Sequence, residues 1–312
     1  MGTDAARRPR TVLRWAGAVV GVAVLAMLLL RLAPHGDALL QAWRRLEGTD
    51  LALAFVALFA AQAAFAWSWH CLLHAAGETG EFRGDAARWG VSLAGKYFPG
   101  KVWQAVARYG LYHGAARGAR VAPAYLREML LGTSAAMALV ALGAPWAGAQ
   151  ARPLAWLFGA GAIGLAVLAT PGIGIRLVAL AERWLPGRVQ LADANWRPLL
   201  VAWLWQWLAY VLLGLGLFAL GRGLGWFSSA HAGVAIAALC FGGLAGIAAF
   251  FVPAGIGVRE AALAWFLAPV IGAAPALMLA ILARAWISIG EAVVIAAGLA
   301  WLQRGSKAPA AP

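Results

Sequence analysis

Charged residues are scarce in this sequence. They make up 12% of 312 residues, against roughly 25% in soluble globular domains, which excludes an ordinary water-soluble globule. Acidic side chains are the scarcer sign, 12 against 25 lysines and arginines. Cysteine occurs twice, as Cys71 and Cys240 within apolar segments, which excludes a disulfide framework and leaves packing as their role. Strand-type alternation of polar and apolar residues is absent, so a transmembrane barrel is excluded and helices are left to satisfy the backbone in lipid. The chain also lacks a nucleophile elbow, a P-loop and a zinc signature. Lipid-modifying enzyme chemistry and an ATP site therefore have nothing to stand on, and neither a catalytic residue, a metal nor a cofactor is expected.

What is abundant is apolar. Hydrophobic residues form 63% of the chain, with 38 glycines and 17 tryptophans. Runs such as 12–30, 51–69 and 199–220 reach the ~20 residues that cross a bilayer. Glycine is expected where helices approach closely in lipid, and tryptophan near span ends suits headgroup anchoring. Arg7, Arg8 and Arg10 ahead of the first run resemble a signal peptide, but no small-x-small cleavage site precedes "HGDALLQ", so an uncleaved first span is expected. The reading is an all-α integral membrane protein with about six full spans, near 12–32, 51–74, 124–148, 154–171, 198–221 and 275–302. They form a single membrane domain over 12–302 between a basic tail, 1–11, and a short tail, 303–312.

Two pieces are left over, 89–110 and 231–270. The first contains "AGKYFPGKVWQAVAR", in which Pro99 and Gly100 interrupt a segment carrying Lys96, Lys101 and Arg108. Proline lacks an N–H and glycine tolerates a turn. The nine residues 89–97 make about 13 Å of helix, enough to reach mid-membrane and return. The spacing predicts a re-entrant hairpin entered from the inside; an amphipathic helix on the inner surface is the alternative. The second piece breaks at Pro253, Gly255 and Gly257 and predicts a hairpin entered from the outside; the alternatives are a full crossing by 231–252 with only the short half turning back, which leaves the tail outside, and two full crossings, which keep it inside.

Basic residues set the orientation. With the N-terminus inside, Arg7, Arg8, Arg10, Arg14, the basic residues from Arg83 to Arg127, Arg176, Arg183, Arg188, Arg197, Arg304 and Lys307 all fall on inner segments. Only Arg44, Arg45, Arg152 and Arg222 fall outside. The net charge of +13 is thus mainly a topology signal that also favours anionic lipid headgroups. Spread over several membrane-flanking segments, it does not describe a nucleic-acid site. Span, hairpin and span occur twice, starting on opposite sides, which is the inverted-repeat plan of many secondary transporters.

The motifs "KYFPGKVW" (96–103) and "VPAGIGVREAAL" (252–263), in this order, resemble the paired signatures of the lysylphosphatidylglycerol synthase transmembrane family of flippase-like membrane proteins. The resemblance covers roughly 12–302. It implies a bacterial inner-membrane protein that moves an anionic, polyprenyl or hopanoid-type lipid between leaflets. Two-part members carry an aminoacyl transferase domain after the membrane part. This chain ends within about ten residues of its last expected span, so no aminoacylation is expected of it.

An ionisable group at the bilayer centre costs at least about 2.5 to 3.5 kcal/mol and marks a partner or a watery cavity. The candidates are Lys96, Lys101, Arg127, Glu128, Arg259, Glu260, Arg284 and Glu291. Arg284 and Glu291, seven apart, share a helix face. The expected headgroup site comprises Lys96, Lys101, Arg259, Glu260, Arg284 and Glu291, next to the hairpin breaks at Pro99, Gly100, Pro253, Gly255 and Gly257. A structural ion-pair network uses the same residues, and Lys96 and Lys101 also have the length to snorkel. His70, His74 and Glu78 recur every four residues, but nothing completes a metal site around them. Gly242 and Gly246 give a helix-packing spacing. The expected partners are membrane lipids. The competing reading is a non-transporting scaffold that assists a lipid-modifying enzyme.

Overall fold

A computed structural model describes residues 46–98, 102–112, 115–170, 196–250 and 252–306, with isolated positions 37, 40, 41 and 44. Among the described residues there is no strand. The helices are α1 (Gly48–Ala75), α2 (Phe82–Ser92), α3 (Val102–Leu111), α4 (Ala115–Gly143), α5 (Arg152–Ala169), α6 (Trp196–Gly223), α7 (Ala232–Ala248), α8 (Val258–Ile271) and α9 (Ala273–Ser306). Seven of them are long and apolar enough to cross a membrane when adjoining 3-10 turns are included: α1, α4, α5, α6, α7, α8 and α9. The protein is an all-α, multi-pass membrane protein.

The spans expected at 51–74, 154–171, 198–221 and 275–302 coincide with α1, α5, α6 and α9. The span expected at 12–32 lies outside the described residues. The one expected at 124–148 starts earlier, as α4 begins at Ala115 and gives way after Gly143 to a 3-10 turn at Ala144–Trp146. Arg117 and Arg120 end the apolar run in the sequence, but a basic residue does not stop a helix. Likewise the inbound half of the first hairpin begins at Phe82 rather than Trp89, because the polar "FRGDAAR" is helical and buries Asp85.

The bundle is organised around α1 and α6, the most extensively packed pair. They run antiparallel. The Ser68 hydroxyl donates to the Ala202 carbonyl at 2.9 Å, and at the other end a Cβ on Gly216 would meet the Ala54 carbonyl at 3.2 Å. Around this pair the packing repeats. As α2 leans on α1 and α9, so α7 leans on α6 and α4, and as α3 folds back on α2 and touches α4, so α8 folds back on α7 and touches α9. The unit α1–α4 therefore corresponds to α6–α9. Because α1 opposes α6, the two units are inverted along the helix axis, as the span–hairpin–span pattern predicts.

Glycines close both hairpins. A Cβ on Gly95, in the 3-10 turn Leu93–Tyr97 that extends α2, would lie 2.6 Å from the Gln104 Cα of α3. A Cβ on Gly255 would lie 2.8 Å from the Gly246 Cα. Gly242 similarly faces the Arg259 carbonyl and Leu263, so this glycine pair packs α7 against α8. The second break holds three residues with positive φ, Ala254 (49°), Gly255 (68°) and Gly257 (82°), which reverses the chain within one turn. Gly255→Val combines a forbidden φ with a backbone clash. The expected outcome is loss of the monodisperse peak in size-exclusion chromatography of solubilised protein; a variant eluting and melting like the wild type would contradict the close hairpin.

The two breaks touch each other, the turn Leu93–Tyr97 against the turn Pro253–Gly255. Both lie halfway along α9, which at 34 residues is about 51 Å long. Arg284 reaches the Ala254 carbonyl, and Glu291 reaches Tyr97.

Candidate functional site

The meeting point of the breaks is where the charges are. Lys96, in the turn after α2, forms an ion pair with Glu291 of α9. The neighbouring Tyr97 hydroxyl donates to the other carboxylate oxygen, Oε2, at 2.6 Å. Glu291 is only 5% exposed, so both oxygens are satisfied by the first hairpin. One inverted unit is thereby tied to the other beside the middle of α9.

The second break supplies the other half. Glu260 lies in the first turn of α8, where its Oε2 accepts from the Gly257 N–H at 2.5 Å. An acid at a helix N-terminus also complements the helix dipole. Its Oε1 is 3.8 Å from Arg284 Nε, and Arg284 Nη1 donates to the Ala254 carbonyl at 3.2 Å. Glu260 and Arg284 hold the turn closed. Arg259, one residue before Glu260, has no hydrogen-bond or ion-pair partner among the described residues.

Arg259 points to where the space is. A cavity of about 530 Å³ opens beside the breaks. Its polar wall includes Lys96, Arg259, Arg284 and Glu291, with Gln62 from α1 and Gln206 from α6. Leu213, Leu239 and Leu244 give it an apolar wall. Met129, Ile247 and Phe250 line the cavity and are also exposed, so among the described residues it opens sideways between α4 and α7. These helices are in tight contact further along, where a Cβ on Gly143 would lie 2.4 Å from Ala237 Cβ. They part towards Met129 and Ile247.

Of the residues singled out in the sequence, Lys96, Arg259, Arg284 and Glu291 converge on this cavity. Glu260 lines only a small crevice with Arg259 and Arg284 and serves the turn. Pro253, Gly255 and Gly257 form the second break. Pro99, Gly100 and Lys101 lie outside the described residues.

Other polar residues of the first unit pair with one another, through partners such as Asp85, Ser92 and Tyr112 that the sequence did not single out. Arg108 is fully buried. It pairs with Glu128, donates from Nε to Ser92 at 3.0 Å and stacks on Trp69 at 4.3 Å. Trp89 donates to the second Glu128 oxygen at 3.0 Å. Glu128 thus reaches the cavity wall already engaged. Asp85 accepts from His70 Nδ1 at 2.7 Å and from the Tyr112 hydroxyl at 3.0 Å, fastening α2 to α1 and to the end of α3. His74 packs edge-on against His70, and Glu78 accepts from Arg120 at 3.3 Å. Among the described residues no group of His, Cys, Asp and Glu is arranged to hold a metal.

The cavity's charge balance follows. Among the described residues Lys96, Arg259 and Arg284 are opposed by Glu291 and Glu260, while Glu128 is taken by Arg108. The count leaves one excess cation, and Arg259 shares the fields of Glu291 and Glu260 without pairing directly with either, in an interior where an ion costs several kcal/mol to bury.

No protein-family model and no curated protein matches this chain. The family resemblance therefore rests on the two motifs, whose described residues, 96–98, 102–103 and 252–263, converge on the hairpin contact.

Proposed function

We propose that this protein is a flippase-type transporter of an anionic lipid in a bacterial inner membrane, with its N-terminus in the cytoplasm. The observation that carries this reading is Arg259. It is a fixed cation with no partner among the described residues, on the wall of a mid-membrane cavity that opens sideways to lipid. A lipid phosphate supplies the missing charge. The apolar rim at Met129, Ile247 and Phe250 lets acyl or prenyl chains stay in the bilayer while the headgroup enters. The two hairpins are re-entrant, one from each side, and their contact at mid-membrane separates the two faces of the site. The Lys96–Glu291 pair closes that contact and must loosen for a headgroup to pass. The resemblance to the lysylphosphatidylglycerol synthase transmembrane family points the same way.

Fluorescent-lipid transfer in reconstituted vesicles tests the reading. The protein accelerates movement of an anionic lipid between leaflets, and no acceleration would favour the scaffold role. The topology is tested separately. In a background without Cys71 and Cys240, single cysteines at positions 114 and 306 are protected from a membrane-impermeant thiol reagent in intact cells, and one at the exposed position 229, in the same connection as 224, is labelled. Labelling at 306 from outside would contradict the two-hairpin arrangement and favour a full crossing by 231–252 with only the short half turning back.

A further inference from the structure

Two glutamines in the membrane interior have no role in the ion pairs. Gln62 of α1 is 7% exposed and Gln206 of α6 is 2% exposed. Both line the cavity, and among the described residues neither amide has a hydrogen-bond partner. The Tyr210 hydroxyl, one helical turn from Gln206 and also on the cavity wall, has none either. The antiparallel register of α1 and α6, set by Ser68 against Ala202 and Ala54 against Gly216, puts Gln62 level with the turn between Gln206 and Tyr210. Gly132 of α4 faces them. A Cβ there would lie 3.1 Å from Gln206 Oε1 and 3.6 Å from the Tyr210 oxygen, so the glycine leaves both groups open to the cavity.

The geometry points to a second subsite, made by Gln62, Gln206 and Tyr210, that binds the uncharged hydroxyl groups of a polyol or sugar headgroup while Arg259 holds its phosphate. This inference rests on the anionic-lipid reading above. A side-chain amide both donates and accepts. Two amides and a phenol on one wall match adjacent hydroxyls, which also do both. They offer no full charge to an ammonium group and leave a bare phosphate without a second contact. A buried site built to hydrogen-bond hydroxyls rejects a ligand lacking them, because its polar groups are left unpaired.

Binding of phosphatidylinositol and of phosphatidic acid with the same acyl chains, measured by native mass spectrometry of detergent-solubilised protein, tests this. The wild type favours phosphatidylinositol by about tenfold, the equivalent of two or three net hydrogen bonds. Gln62→Leu/Gln206→Leu removes polar atoms from the membrane interior, so it folds, and it binds the two lipids equally. Gly132→Val fills the same space and also lowers the preference. Arg259→Gln weakens both lipids alike. If Arg259→Gln weakens both but the glutamine variant keeps the preference, the hydroxyl subsite is wrong and the anionic site stands. If Arg259→Gln changes neither lipid, the anionic-lipid reading itself fails. Displacement of phosphatidylinositol by millimolar glycerol phosphate would reassign the subsite to a soluble phosphorylated polyol.

Discussion

Arg259→Glu abolishes lipid transfer in reconstituted vesicles and leaves the protein folded. Both halves of this result follow from the surroundings of Arg259. Among the described residues it has no hydrogen bond or ion pair to lose, so its replacement orphans no protein group. The new carboxylate sits near Arg284 and shares it with Glu260, whose carboxylate oxygen lies 3.8 Å from Arg284. The anionic headgroup meets the opposite of what it meets in the wild type. Removing one side of a desolvated charge contact costs about 2 to 5 kcal/mol, so transfer falls at least about thirtyfold. Arg304→Gln, at the exposed end of α9, leaves transfer unchanged. Normal transfer by folded Arg259→Glu protein would remove Arg259 from the site.

Glu291→Leu acts on the fold first. Glu291 satisfies Lys96 and Tyr97 together at the contact between the two inverted units, and its removal leaves a lysine in the membrane interior without its carboxylate. Breaking a buried pair by deleting one partner costs about 3 to 5 kcal/mol, whereas replacing both with apolar residues of similar volume is often neutral. The single variant therefore melts well below the wild type in detergent, and Lys96→Met/Glu291→Leu recovers most of the loss. If Glu291→Leu melts like the wild type, the pair does not hold the hairpins together. The double variant separates structure from transport, because it restores the contact without the charges that a headgroup passes.

How much of this is legible in the sequence depends on range. The spans α1, α5, α6 and α9 follow from apolar runs alone, since lipid leaves a helix no other way to satisfy its backbone. Pro253, Gly255 and Gly257 mark the second break because local chain geometry suffices to identify a turn. Lys96, Arg259, Arg284 and Glu291 stand out as ions in apolar surroundings. Their pairing does not. That Lys96 takes Glu291, 195 residues on, depends on how the hairpins meet. Gln62 and Gln206 were invisible for a related reason. A single uncharged amide in an apolar run is tolerated in any membrane helix, and only the register of α1 against α6 sets the two beside one cavity. "FRGDAAR" has no apolar run to mark a helix, yet it is helical, and His70 and Tyr112, distant in sequence, take up Asp85.

The most direct test is a high-resolution structure of the protein in nanodiscs containing phosphatidylinositol and phosphatidylglycerol. Lipid density is expected in the cavity between α4 and α7, with phosphate oxygens at hydrogen-bonding distance, about 2.7 to 3.2 Å, from the Arg259 guanidinium and chains leaving past Met129 and Ile247. Lipid absent from the cavity, with Arg259 paired to a carboxylate of the protein, would contradict it.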